Sequence, residues 1–248
     1  MTKPITPGNT GGIWAPLSNV LLAASVMERL QNSSPSLPRM ASLYGNSGLG
    51  KTMAAAYVRN KYNGVYVECR SFFTKKTFME ALCRELGLRP GRTIGESFDA
   101  IVEELHASNR PLLVDEVDHV VETKILEIIR DIHDASRTPI MLIGEEQLPR
   151  KLTRAERFHN RVLVWQPAQP ATDKDAALLA KFYCPGVEIA DDLLKRIHER
   201  SRAVARRICV NLDMVRDVAT KEGLQRVDLA SWGTRDFYTG DAPARRGA

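Results

Sequence analysis

The chain has 248 residues, 44% hydrophobic and 26% charged, which suits one α/β core with a small appendage and excludes a wholly disordered chain. A net charge of +5 permits contact with nucleic acid without demanding it. Four separated cysteines, Cys69, Cys83, Cys184 and Cys209, have no CxxC spacing, so neither a zinc ribbon nor a disulfide framework is expected, and they fit a reducing cytoplasm. No apolar run reaches the ~18 residues that suggest a membrane span, and Met1 to Gly8 lacks a signal-peptide core, so a cytoplasmic protein is expected.

Residues 1–16 are rich in Pro, Gly, Thr and Asn and read as a flexible arm. A helix is expected over about 17–31, with Val20, Leu21, Ala24, Met27 and Leu30 on one face. Met40 to Tyr44 reads as a strand running into a Gly-rich loop, with a helix over 52–61 and a second strand at 65–69. Two helices follow, near 75–86 and 95–107. The third strand, Leu112 to Asp115, is apolar up to its last residue, as a strand buried on both faces should be. A helix over 120–135, a strand at 139–144, a helix over 146–154 and a strand at 162–165 complete the alternation. That alternation predicts a parallel sheet covered on both faces over residues 17–168. From 169 to 232 only helical periodicity is visible, at 173–183, 190–200 and 203–221, which predicts a small all-helical lid. Residues 233–248 read as a flexible tail. Trp14, Trp165 and Trp232 read as packing anchors, and the five histidines show no ligand spacing.

Gly45-Asn46-Ser47-Gly48-Leu49-Gly50-Lys51-Thr52 fits the phosphate-loop pattern GxxxxGK[ST] in full, between a strand and a helix. Glycines let the backbone wrap phosphates, and successive N–H groups at the helix start then face the anion. Lys51 is positioned to reach the β- and γ-phosphates of ATP, and Thr52 to offer its hydroxyl to Mg²⁺. Asp115 and Glu116, at the end of the third strand, supply a metal partner and a base for the attacking water. Asp118 is expected to cap the helix starting near Val120.

With Lys51, Thr52, Asp115 and Glu116 placed, residues 20–222 resemble an AAA+ ATPase. The resemblance implies a five-stranded parallel sheet of order 5-1-4-3-2, an all-helical lid, and nucleotide shared between subunits of a homo-oligomer. Within that superfamily the chain resembles the ATPases that regulate DNA transposition, the group of the phage Mu B protein, TnsC and IstB. Compactness, two helices between strands two and three, and Arg154 to Arg161 before strand five carry this resemblance. It implies Arg157 or Arg161, with Arg154 behind them, as a finger reaching a neighbour's γ-phosphate. A surface helix end explains any one of these arginines equally well. Ala205-Arg206-Arg207-Ile208 resembles the sensor-two segment, with Arg206 the first candidate for reaching nucleotide and Arg207 the second.

One departure stands out. Gly144-Glu145-Glu146 occupies the end of strand four, where the superfamily keeps Asn, Ser or Thr. A carboxylate there repels phosphate, so slow hydrolysis is expected while binding is unaffected.

The resemblance also implies DNA contact through the loops after strand two and between the inserted helices. Those loops offer Lys75, Lys76, Arg92 and Thr93, suited to backbone contact that is sequence-independent and salt-sensitive. Ordinary surface charge explains them equally well. Phe72 and Phe73 are expected in the core rather than stacked on bases. The function implied is an ATP- and Mg²⁺-dependent ATPase that oligomerises on double-stranded DNA and acts in transposition, with a transposase as partner. The competing reading is a helicase-loader-like or regulatory ATPase acting on a protein partner.

Overall fold

The computed structural model describes residues 16–34 and 36–241. Trp14, most of the N-terminal arm and the end of the tail lie outside the described residues. The chain divides into two compact units, one holding 19–47 and 51–168 and the other holding 16–18, 48–50 and 169–241 among the described residues.

The first unit runs α1 (Ser18–Asn32, from Asn19), β1 (Met40–Tyr44), α2 (Lys51–Lys61), β2 (Val65–Glu68), α3 (Lys75–Leu86) and α4 (Ile94–Ser108). It continues with β3 (Leu112–Asp115), a 3-10 turn at Val117–His119, α5 (Ile125–Ser136), β4 (Ile140–Gly144), α6 (Leu148–Thr153), α7 (Glu156–His159) and β5 (Val162–Pro167). The strands pair in the order β2-β3-β4-β1-β5, all parallel. This is the expected order 5-1-4-3-2 read from the other edge. The three central strands are buried almost throughout, whereas β2 and β5 are only partly covered, because each is an edge.

Side-chain spacing explains the helices. In α3, Phe78, Met79, Leu82, Cys83 and Leu86 fall on one face and enter the core with Ile101, Leu105, Leu112 and Ile140. Each fully buried Leu, Ile or Phe of this set contributes about 1.5–3 kcal/mol. Thr74 starts α3 through a reciprocal capping box with Thr77, and Gly87 ends it at φ 75°.

Two expected helices begin later than the pattern suggested. Val120 does not open a helix: the Thr123 hydroxyl accepts the Ile125 N–H at 3.1 Å and donates to the Val120 carbonyl at 2.8 Å, holding a turn until α5 starts. The helix expected over 146–154 is α6, which starts at Leu148 because Pro149 lacks an N–H and suits a first turn; the short α7 follows beyond that range.

The second unit contains α8 (Asp173–Tyr183), β6 (Glu188–Ile189), α9 (Asp191–Arg200), α10 (Ala205–Glu222), β7 (Arg226–Val227) and α11 (Leu229–Trp232). Ala176, Leu193, Ile197, Ile208, Leu212, Val215 and Trp232 form its core. It is not all-helical. Glu188 and Ile189 pair in parallel with Arg226 and Val227, and Glu188 meets Arg226 at 3.3 Å. Two-residue strands are too short to leave a periodic trace in the sequence.

Candidate nucleotide site

The loop between β1 and α2 has the backbone that phosphate binding requires. Gly48 and Gly50 lie at φ 85° and 88°, where an L side chain is strained. No acidic residue stands in the first turn of α2 to repel an anion at its N-terminus. The Lys51 ammonium donates to the Gly45 carbonyl at 2.7 Å and the Asn46 carbonyl at 3.0 Å. Thr52 follows on the first turn of α2 and is exposed.

The end of β3 brings the carboxylates to the same end of the sheet. Asp115 is buried, with Oδ2 accepting from the Tyr66 hydroxyl at 2.8 Å and Oδ1 accepting the Glu116 N–H at 2.8 Å. Glu116 sits in the left-handed region at φ 51°, ψ 38°. Burial and then the neighbouring Asp115 raise the Glu116 carboxyl above its ordinary value, against pulls from His119 and Lys51. Burial lowers the Lys51 ammonium, while Glu116, Asp115, Glu145 and Asp118 oppose that shift in this order. Burial and then Asp115 push the Cys69 thiol up to about 12. Lys51 therefore faces a strongly anionic neighbourhood, and the structure brings Lys51, Asp115 and Glu116 together.

Those residues fit Mg²⁺ with nucleotide. Among the described residues no three His, Cys, Asp or Glu side chains form a metal cage. Mg²⁺ on phosphates keeps most of its waters and needs only one or two protein oxygens, a role Thr52 and Asp115 can fill.

Sequence reasoning missed Tyr66, which reaches Asp115 across neighbouring strands, 49 positions away in the chain. It also misassigned Asp118. That carboxylate caps no helix: it accepts the Glu145 N–H at 2.6 Å and the Lys151 ammonium at 2.7 Å. The Glu145 side chain is exposed.

The arginines before β5 separate. Arg161 donates to Asp134 at 2.7 and 2.8 Å and to the Arg157 carbonyl at 2.5 Å, so its guanidinium is tied within its own chain. Arg157 and Arg154 are exposed. In the second unit Arg206 is the second residue of α10 and exposed.

Lys76, Arg92 and Thr93 line one cleft with Met79, Glu80 and Gly91, and Lys75 opens α3 beside them. Thr93 caps α4 by accepting the Glu96 N–H at 3.1 Å, and Lys76 lies 3.9 Å from Glu80. The expectation that Phe72 packs in the core is corrected: it is 67% exposed, while Phe73 packs against the core. The loop after β2 turns the two rings apart, in an edge-to-face pair 5.8 Å between centroids.

Residues 36–152 match the AAA_22 family, an AAA domain. The ATP-dependent target DNA activator B of Escherichia phage D108 is 29% identical over 124 residues, a match covering 48% of this chain and 38% of that protein. The fold is similar to Cdc6p from Pyrobaculum aerophilum, with TM-score 0.64 and 16% identity, over 88% of this chain and 66% of that one. It is similar to the Aeropyrum pernix ORC1 protein solved in complex with DNA, with TM-score 0.59 and 19% identity, over 85% of this chain and 61% of that one. The Thermotoga maritima RuvB Holliday junction branch migration motor gives TM-score 0.59 and 20% identity, over 86% of this chain and 66% of that one. At these identities the solved structures speak for the fold alone, and the chain spans less than two thirds of each of these relatives. No helix among the described residues is long and apolar enough to cross a membrane. The phosphate loop, the 5-1-4-3-2 sheet and the AAA domain matched over residues 36–152 agree with one another, and the chain is similar there to AAA+ P-loop proteins and, over part of its length, to a phage target DNA activator.

Proposed function

We propose that this protein binds ATP and Mg²⁺, oligomerises on double-stranded DNA without sequence preference, and regulates a transposase. The observation that carries the reading is the joining of Lys51, Asp115 and Glu116 at one end of the sheet, inside the AAA domain matched over residues 36–152, in a chain similar over part of its length to a phage target DNA activator. Lys51 holds the phosphates and Thr52 and Asp115 hold the metal. Held there, the metal would supply neutralisation of phosphate charge. Glu116, its proton affinity raised by burial, takes the proton of the attacking water. Arg157 is the better finger toward a neighbouring subunit, because Arg161 is already held by Asp134. Lys75, Lys76, Arg92 and Thr93 contact the DNA backbone. The exposed loop around Phe72 belongs to the same surface.

The test is duplex-DNA binding with ATP, with ADP and without nucleotide, across a salt series, together with electron microscopy for filaments. ATP-dependent binding that weakens as salt rises is expected. Absence of binding at low ionic strength with ATP present overturns the DNA assignment. Lys51→Ala should lose nucleotide binding, and unchanged affinity would contradict the assigned loop.

A further inference from the structure

The end of β4 sits against the phosphate loop. Tyr44 pairs with Gly144, and the Gly45 N–H donates to the Gly144 carbonyl at 3.3 Å. Gly144 is buried, and a Cβ built on it would collide with Asp118 Oδ2 and come within 2.8 Å of Leu148 Cδ2. The missing side chain at this strand end therefore leaves no hole. A carboxylate from the 3-10 turn after β3 occupies the space instead.

That carboxylate is firmly held. The Asp118 side chain is only 7% exposed. Its two oxygens are divided between the Glu145 N–H and the Lys151 ammonium. Left unpaired, Asp118 would add another negative charge beside Asp115, Glu116 and a polyphosphate, at a cost set by Coulomb repulsion in a half-buried site. Lys151 on α6 cancels that charge. Its ammonium carries two N–H groups beyond the one Asp118 receives, and its side chain is one-third exposed, so it can meet a second acceptor.

We infer that Lys151, aimed by Asp118, is the residue that reads the γ-phosphate and orders the attacking water at the end of β4, in place of a polar side chain at Gly144. This deepens the hydrolysis reading and rests on it. Asp118 is a positioning residue acting through Lys151. The arrangement also changes the meaning of Gly144-Glu145: the Glu145 N–H holds Asp118 in place, while the exposed Glu145 carboxylate still adds to the negative field around Lys51.

The experiment measures ATP turnover, affinity for a fluorescent ATP analogue and thermal unfolding, in the full chain. The variants are Lys151→Met, Lys151→Arg, Asp118→Ala, and Asp118→Ala combined with Gly144→Asn. Lys151→Met should lower kcat on the order of tenfold to 100-fold with analogue affinity nearly unchanged, as expected for removing one charge-stabilising donor. Lys151→Arg should recover most of that loss. Asp118→Ala should lower kcat, and adding Gly144→Asn should restore it, because the vacated space takes the new amide once the Leu148 methyl at the side-chain end shifts away from the new Cβ. A purely structural clamp predicts the opposite pattern: lowered melting temperature, kcat preserved in folded enzyme, and no rescue by the double variant. Wild-type kcat in Lys151→Met overturns the inference, as does failure of rescue in a double variant that melts like wild type. Glu116→Gln run in parallel separates the two claims. If it turns over ATP like wild type, the hydrolysis reading itself fails. If it is inactive while Lys151→Met is not, only the Lys151 assignment fails.

Discussion

Glu116 offers a direct test of whether the site stores backbone strain. It lies at φ 51°, ψ 38°, a region where an L residue costs roughly 1–2 kcal/mol. Replacing it by alanine removes the carboxylate but keeps the Cβ, and replacing it by glycine removes both. The difference between the two variants cancels every effect of the carboxylate, including the burial that raises its proton affinity. Glycine relieves the strain but loses roughly 0.5–1 kcal/mol more in backbone entropy on folding. The net expectation is that Glu116→Gly is more stable than Glu116→Ala by about 0.5–1 kcal/mol. At roughly 2–4 °C per kcal/mol for a chain of this size, that is a melting difference of about 1–4 °C. Urea unfolding and thermal melts without nucleotide measure it, and both variants should lack turnover. At an ordinary helical position the sign is reversed, with glycine less stable than alanine. Equal stability, or alanine ahead, would refute the claim that the end of β3 holds its base in a strained conformation. The strain has a visible anchor, because the Glu116 N–H is taken by Asp115 Oδ1 at 2.8 Å.

Tyr66→Phe leaves Asp115 Oδ2 without its hydroxyl donor and should cost about 1.5–3 kcal/mol in urea unfolding, the range for a bond to a charged group. Unchanged stability would show that solvent replaces the hydroxyl freely. His133 gives a pH test. Its Nε2 accepts the Arg39 N–H at 3.1 Å, and its Nδ1 meets Asp134 at 3.1 Å. Burial holds its proton affinity below the ordinary 6.5, despite Asp134. A depressed histidine contributes stability above its unfolded value that is lost as pH falls through the folded value. Melting temperature should therefore fall on acidification below 6.5, and His133→Gln should flatten that limb; an identical pH profile in the variant would remove His133 as the cause. Arg161→Ala should destabilise by about 1 kcal/mol, a modest figure because the pair with Asp134 is about one-third exposed. Arg157→Ala should melt like wild type yet lose turnover, and mixing it with Lys51→Ala subunits should restore some activity if the finger acts between subunits. Restoration by Arg161→Ala instead would reverse the assignment of the two arginines.

What could be read from the sequence divides along a physical line. The phosphate loop and the Asp115-Glu116 strand end are local: their chemistry is fixed by residues adjacent in the chain, so spacing alone locates them. The central strands were legible because burial on both faces leaves continuous apolar runs. The parts that stayed hidden are contacts between distant positions. Tyr66 meets Asp115, Asp118 meets Lys151, and Arg161 meets Asp134, at separations of 49, 33 and 27 residues. No periodicity records such pairings. The same blindness explains the misread turn after β3. Asp118 had the right residue type and the right offset for a helix cap, but Thr123 delays the helix and frees the carboxylate for β4.

Gly144 takes its meaning from one of these distant contacts. In one dimension it is a lost polar side chain and a reason to expect weak hydrolysis. In three dimensions the glycine is a requirement, since only a residue without a Cβ leaves Asp118 its place. A strand end that lacks a side chain, and a carboxylate fixed over that gap by an ammonium, are one feature seen from two positions in the chain. The absence in the motif and the presence of Lys151 thus constrain each other. Any substitution at Gly144 must move Asp118 and press on the buried Leu148, and shortening Asp118 removes the first of those two obstacles.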